Sequence, residues 1–204
     1  MSSPTFTLLE GHPDPASFTH ALAARYARGA EAEGVKVLAF EVARLDFDPV
    51  LRGGHRAPRA DEPDLARVRA AIERSARVVW FFPTWWAGMP AVMKGLVDRL
   101  FLPGWAYRYE GGPLPRGLLA PRSSRWVTTM DSPRLWYLLA HHDALGGAFG
   151  RGTLRFTGFS PVERTVLYGV RRMGERARRR WLERMEGLGR RDARRDGSRG
   201  DDGT

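Results

Sequence analysis

The chain has 204 residues, 43% of them hydrophobic, which suits one ordinary domain with enough apolar side chain for a core. It contains no cysteine, so disulfides, thiolate metal sites and cysteine nucleophiles are excluded. The net charge is +10, and all but two of the 33 basic residues are arginine, the exceptions being Lys36 and Lys94.

In chain order, residues 5–10 form a short apolar run that breaks at Gly11-His12-Pro13, a strand followed by a loop. Asp14-Pro15 has the chemistry of a helix start, and Phe18, Leu22 and Tyr26 stripe the helix up to Gly34. Residues 35–42 read as a strand. A loop through Gly53-Gly54 leads to a helix striped by Leu65, Val68 and Ile72. The run Val78-Val79-Trp80-Phe81-Phe82 is continuous, as in a strand covered on both faces. A loop over 83–88 follows, and Pro90 opens a helix striped by Met93, Leu96 and Leu100. Residues 125–129 and 161–168 supply two more strands, with helices around 135–144 and 173–188. Alternating strands and helices imply an α/β fold: a three-layer, flavodoxin-like sandwich around a five-stranded parallel sheet.

The ordered domain is expected over 1–189. Residues 190–204, GRRDARRDGSRGDDGT in sequence from Gly189, lack apolar periodicity and read as a disordered Arg/Asp/Gly-rich tail whose removal should leave activity intact. Half of the excess positive charge lies from Arg171 onward. Without a helix-turn-helix, zinc-finger or aromatic RNA-binding signature, it does not argue for a nucleic-acid partner. The longest uncharged stretch, 78–93, is broken by Pro83 and Pro90, so no membrane span is expected. The opening MSSPTFTLLEGHP has no signal-peptide pattern, and a cytoplasmic location is the expectation.

In a doubly wound sheet the ligand sits beyond the carboxyl ends of the strands. The loops to inspect are therefore GHPDPASFT, PTWWAGMP and TTMDSP, after the first, third and fourth strands. The first enters a helix N-terminus, which suits an anion, with His12, Ser17 and Thr19 able to add contacts. Ser17 as a plain cap is the alternative reading. The second places Trp85 and Trp86 at a crossover loop, either as core or as the wall of a flat aromatic pocket, with Gly88 permitting close backbone approach. Trp105, Tyr107 and Tyr109 add a second aromatic cluster, expected near the same edge. No Walker pattern, G-x-G-x-x-G, G-x-S-x-G elbow or H-x-x-x-H pair is present, and no metal is implied.

The segments EGHPDPASF, FPTWWAGMPAVMKGLVDRLF and AYRY, with the pair Thr128-Thr129, resemble in order the NAD(P)H:quinone oxidoreductase family of flavodoxin-like flavoproteins, over about residues 5–188. The resemblance implies a flavin across the three loops, FMN or FAD; a 204-residue chain without an evident second lobe for an adenine moiety leans toward FMN. His12, Ser17, Phe18 and Thr19 match positions at the phosphate end. Pro83, Thr84, Trp85, Trp86 and Ala87 match the loop along the ring, and Thr128, Thr129, Met130 and Asp131 the loop whose backbone amides bond it. Trp105, Tyr107 and Tyr109 match the substrate-closing aromatics, often contributed across a homodimer interface. The implied activity is hydride transfer from NAD(P)H to flavin, then two-electron reduction of a quinone, nitro or azo acceptor. Two departures stand out. Met130 and Asp131 replace a glycine pair, and the catalytic Tyr and His map onto Trp136 and His142 without gaps, so Tyr137 and His142 are the candidates, with His141 beside them. A flavin-bearing electron carrier, or a regulatory subunit of a membrane transport system, is the alternative.

Overall fold

The computed structural model describes residues 3–56 and 62–197. Five parallel strands form the sheet: β1 (Thr5–Glu10), β2 (Lys36–Glu41), β3 (Arg77–Pro83), β6 (Ser123–Thr129) and β7 (Val162–Leu167). Their order is β2-β1-β3-β6-β7, the flavodoxin-like arrangement. Every residue of β3 and β6 is buried, which is why their sequences run apolar without alternation. Polar exceptions are satisfied inside: Ser124 Oγ accepts from Trp80 Nε1 at 3.0 Å and donates to Val78 O. Two three-residue strands, β4 (Tyr107–Tyr109) and β5 (Pro115–Gly117), make a separate antiparallel hairpin.

On one face lie α1 (Phe18–Glu31) and α5 (Glu175–Gly197). Their closest approach is set by glycine. A Cβ on Gly29 would stand 2.0 Å from Glu186 O, and one on Gly189 2.1 Å from Tyr26 O. The two backbones therefore touch, and Phe6, Leu22, Tyr26, Phe81, Met185 and Leu188 fill the space around the crossing. Helix α1 starts three residues later than its Asp14-Pro15 signal suggests. Ser17 is the N-cap and accepts from His20 N, while Asp14 instead closes the preceding turn by accepting from Ala16 N.

The other face carries α2 (Pro63–Arg74), α3 (Ala91–Leu100) and α4 (Arg134–Ala140). The helix expected over 135–144 stops at Ala140, and the glycine-rich stretch Gly146–Arg155 winds as a π-helical segment. It seats Phe149 edge-on against Trp80, Phe82 and Trp126, with centroids 5.3, 5.5 and 6.2 Å apart.

The largest correction concerns the C-terminus. Residues 190–197, expected in a disordered tail, continue α5, and 198–204 lie outside the described residues. Arg77 and Arg125 sit buried at the amino ends of β3 and β6 and need counter-charges. Asp196 Oδ2 accepts from Arg77 Nε at 2.6 Å, and Asp192 takes Arg125 through Nε and Nη2 at 2.6 and 2.9 Å. Tyr26 Oη donates to Asp192, Ser123 Oγ to Asp196, and Glu163 joins Arg77, Arg125 and Arg195. Removing everything beyond Gly189 would strip two buried arginines of their aspartates, so the structure predicts that such a truncation destabilises the domain, against the expectation that it is harmless.

The helix crossing and the ion network can each be tested. Gly29→Ala should destabilise the protein by about 1–3 kcal/mol through overpacking. Gly187→Ala, on the same helix pair but with open space around its Cβ, should stabilise by up to about 1 kcal/mol, both read by urea unfolding. The Arg195 hydrogen bond, with help from Arg125 and Arg77, holds the Glu163 carboxyl at about 2, below its ordinary 4.5. Its stabilisation is therefore complete above pH 4.5 and is lost as pH falls toward 2. Glu163→Gln should flatten that part of the melting-temperature profile.

Candidate functional site

Three loops meet at the carboxyl ends of β1, β3 and β6. The strand β1 delivers Gly11, whose N–H donates to Phe81 O at 2.8 Å. His12 then folds back: its N–H donates to Glu10 Oε1, and its Nδ1 accepts from Asp14 N at 3.0 Å. Accepting at Nδ1 leaves the neutral ring's proton on Nε2. Burial lowers the His12 pKa, so at neutral pH the residue offers an N–H and not a full charge. Beyond it, the first-turn N–H groups of Phe18 and Thr19 have no intrahelical acceptor, as in any helix start, and the Ser17 hydroxyl lies beside them. This donor set fits an anion such as a phosphate.

The β3 loop crosses to meet it. The rings of Trp85 and His12 pack edge-on at 5.8 Å. Trp85 and Gly88 exchange backbone hydrogen bonds at 2.9 Å each, closing a two-residue turn over Trp86 (φ 52°) and Ala87 (φ 59°). Both central residues are left-handed, as a type I′ turn requires. The strain thus falls on a tryptophan and an alanine, whereas Gly88 keeps ordinary φ. Trp86 is fully exposed and Trp85 half-exposed, so the loop presents indole surface to solvent.

The third loop is bound to the other two. Thr84 N donates to Thr129 O at 2.7 Å. Thr19 and Thr129 hydroxyls are 2.9 Å apart, and those of Thr84 and Thr128 are 2.7 Å apart. The threonine hydroxyls at these loops are thus bonded within the protein, while Ser17 keeps its hydroxyl proton free to donate. Met130 is buried, and its N–H donates to Leu167 O while its carbonyl accepts from Val170 N. Asp131 Oδ1 accepts from Arg171 N at 2.8 Å. The residues standing in for a glycine pair therefore tie β6 to the segment after β7.

Comparison with known proteins agrees with the geometry. A family model described as flavodoxin-like fold matches residues 5–187. The chain belongs to that family. Its relatives include NAD(P)H dehydrogenase [quinone] 1 of Cavia porcellus, 23% identical over 190 residues, covering 80% of this chain and 68% of the relative. Among solved structures, the NAD(P)H:quinone oxidoreductase from Methanothermobacter marburgensis superposes with a TM-score of 0.78 at 20% identity, covering 93% of this chain and 96% of the other. An FMN-dependent NADH-azoreductase from Bacillus anthracis, in complex with FMN, has a TM-score of 0.71 at 12% identity, covering 93% and 99%.

Within this flavodoxin-like frame, His12, Ser17, Phe18, Thr19 and the 83–87 and 128–131 loops all converge. The aromatic cluster after α3 does not join them. A helix following a parallel strand returns to the amino edge of the sheet, and Trp105 Nε1 donates there to Glu73 Oε1, in the last turn of α2, at 2.7 Å. Tyr107 packs on Tyr109 and Phe156 beside it. The candidate catalytic pair is also revised. Tyr137 is buried, its hydroxyl accepts from Leu145 N at 3.0 Å, and burial raises its pKa, keeping it protonated. Both histidines are exposed; the ring that meets Tyr137 is that of His141, at 5.9 Å, while His142 occupies a left-handed backbone position at φ 47°.

Two further residues, not singled out by the sequence, stand beside these groups. Tyr168 lines the Tyr137 ring at 6.3 Å. Glu10 is a buried acid under the first loop, its pKa raised by burial; a lone carboxylate ending an otherwise uncharged buried strand was the signal for it. Because Trp86 has no packing to lose, Trp86→Asn should relieve turn strain and raise stability by about 0.5–1 kcal/mol, measured by chemical denaturation.

Proposed function

We propose that this chain is a flavin-dependent NAD(P)H oxidoreductase that reduces a quinone, or a similar nitro or azo compound, by two electrons. The reading rests on one observation: a helix start equipped for a phosphate is joined by hydrogen bonds and ring contact to a loop that carries two solvent-exposed tryptophans. The kinship with quinone reductases and an FMN-dependent azoreductase supports it, and we take FMN as the cofactor.

A bound flavin would supply the redox chemistry, accepting hydride from the nicotinamide and passing electrons to the acceptor. The chain's own residues do the rest. His12 Nε2–H, the Ser17 hydroxyl and the first-turn amides of Phe18 and Thr19 would hold the phosphate. Trp85 and Trp86, with the Pro83–Ala87 backbone, would cover the ring and exclude water. Tyr137, kept protonated by burial and bonded by Leu145 N–H, is the candidate proton-bearing group, with His141 at its edge. The working unit in this proposal is a homodimer in the cytoplasm, where NAD(P)H is available. Tyr109 and the α4 side chains Leu135, Trp136 and Leu139 are exposed apolar groups of the kind a second copy covers. Tyr107 and Tyr109, remote from their own chain's loops, would then serve the partner's site, and Trp105 would remain structural.

The test is anaerobic spectroscopy of the purified protein. A yellow protein, bleached by NADPH or NADH and recoloured by a benzoquinone, is expected, with light scattering returning a dimer. A protein that takes up neither FMN nor FAD would overturn the proposal, and one that binds flavin but ignores both nicotinamides would shift it to the carrier reading.

A further inference from the structure

The polar side chains nearest the three loops are spent on one another, and the pattern of that spending is specific. Thr128 Oγ1 donates to Phe82 O at 2.8 Å. A hydroxyl has one proton, so in the 2.7 Å pair with Thr84 it is Thr84 that donates and Thr128 that accepts. Thr129 meets Thr19, from the first turn of α1, at 2.9 Å, and Thr129 O takes Thr84 N–H at 2.7 Å. Thr19, Thr128 and Thr129 are 2%, 0% and 7% exposed, so water cannot replace a broken bond.

The result is a hydrogen-bonded route from the anion-ready helix start, through the end of β6, to the aromatic loop after β3. Among the described residues, no other side chain supplies such a hydrogen-bonded link between these loops. The His12–Trp85 contact is ring packing and fixes no register.

We propose that Thr19, Thr84, Thr128 and Thr129 are positioning residues, a hydroxyl latch that holds the phosphate end and the ring end of the site at a fixed separation. The inference deepens the flavin reading above and rests on it. A latched site meets a ligand already shaped. An unlatched site must order its loops on binding and so loses affinity.

The test compares wild type with Thr19→Val, Thr129→Val, the double variant, Thr84→Val and Thr19→Ser. FMN affinity is read by quenching of flavin fluorescence, and unliganded melting temperature is read separately. Each valine variant should bind FMN about tenfold more weakly. The Thr19/Thr129 double variant should be no worse than either single, since both remove the same bond, and Thr19→Ser should restore affinity. Thr84 is only half-buried, so its variant tests the latch even if valine at Thr19 fails to fold. Lower melting temperatures with unchanged FMN affinity would make the threonines merely structural and overturn the latch, as would additive losses in the double variant. Wild-type protein that quenches no FMN would instead remove the flavin reading, and the latch with it.

Discussion

Strand β3 is sealed from water over its whole length, from Arg77 to Pro83, and the polar groups near it find partners inside the protein, Arg77 Nη2 excepted. That constraint organises both edges of the sheet. At the amino edge it concerns charge: a guanidinium with no exposure demands carboxylates, and the last turns of α5 bring Asp192 and Asp196 to it. At the carboxyl edge it concerns neutral donors and acceptors, where the strand ends in a proline and the carbonyl of Phe82 is taken by Thr128. The ion network and the threonine pairs are two answers to one dry environment.

The sheet was legible because buried parallel strands and striped helices leave strong periodic signals, and the strand order followed from topology. The departures have physical reasons. Apolar periodicity in α5 fades after Leu188, so its continuation is invisible to pattern reading; what extends it is a pair of aspartates four residues apart, matched to arginines that lie far away in sequence. The β4–β5 hairpin is three residues per strand, too short for alternation to register. The π-helical segment is rich in glycine, which weakens any helical signal.

At the site, the three loops could be named from the strand order alone, but their free and committed atoms could not. Thr128 and Thr129 resemble ligand contacts in sequence and turn out to be bonded inward. Met130 and Asp131 look like an anomaly until Leu167, Val170 and Arg171 are seen to use them. Trp105 lies where chain direction alone would put it, because the end of a helix that follows a parallel strand lies at the opposite edge from that strand's loop. His141 and His142 are alike in sequence, since both follow the end of α4, and only the backbone turn at His142 and the ring contact of His141 with Tyr137 separate them.

The charges that anchor α5 lie at the far end of the strands from the three loops. Substitutions in those loops therefore leave the anchor of this chain untouched, and the loops can change chemistry without withdrawing a counter-charge from Arg77 or Arg125.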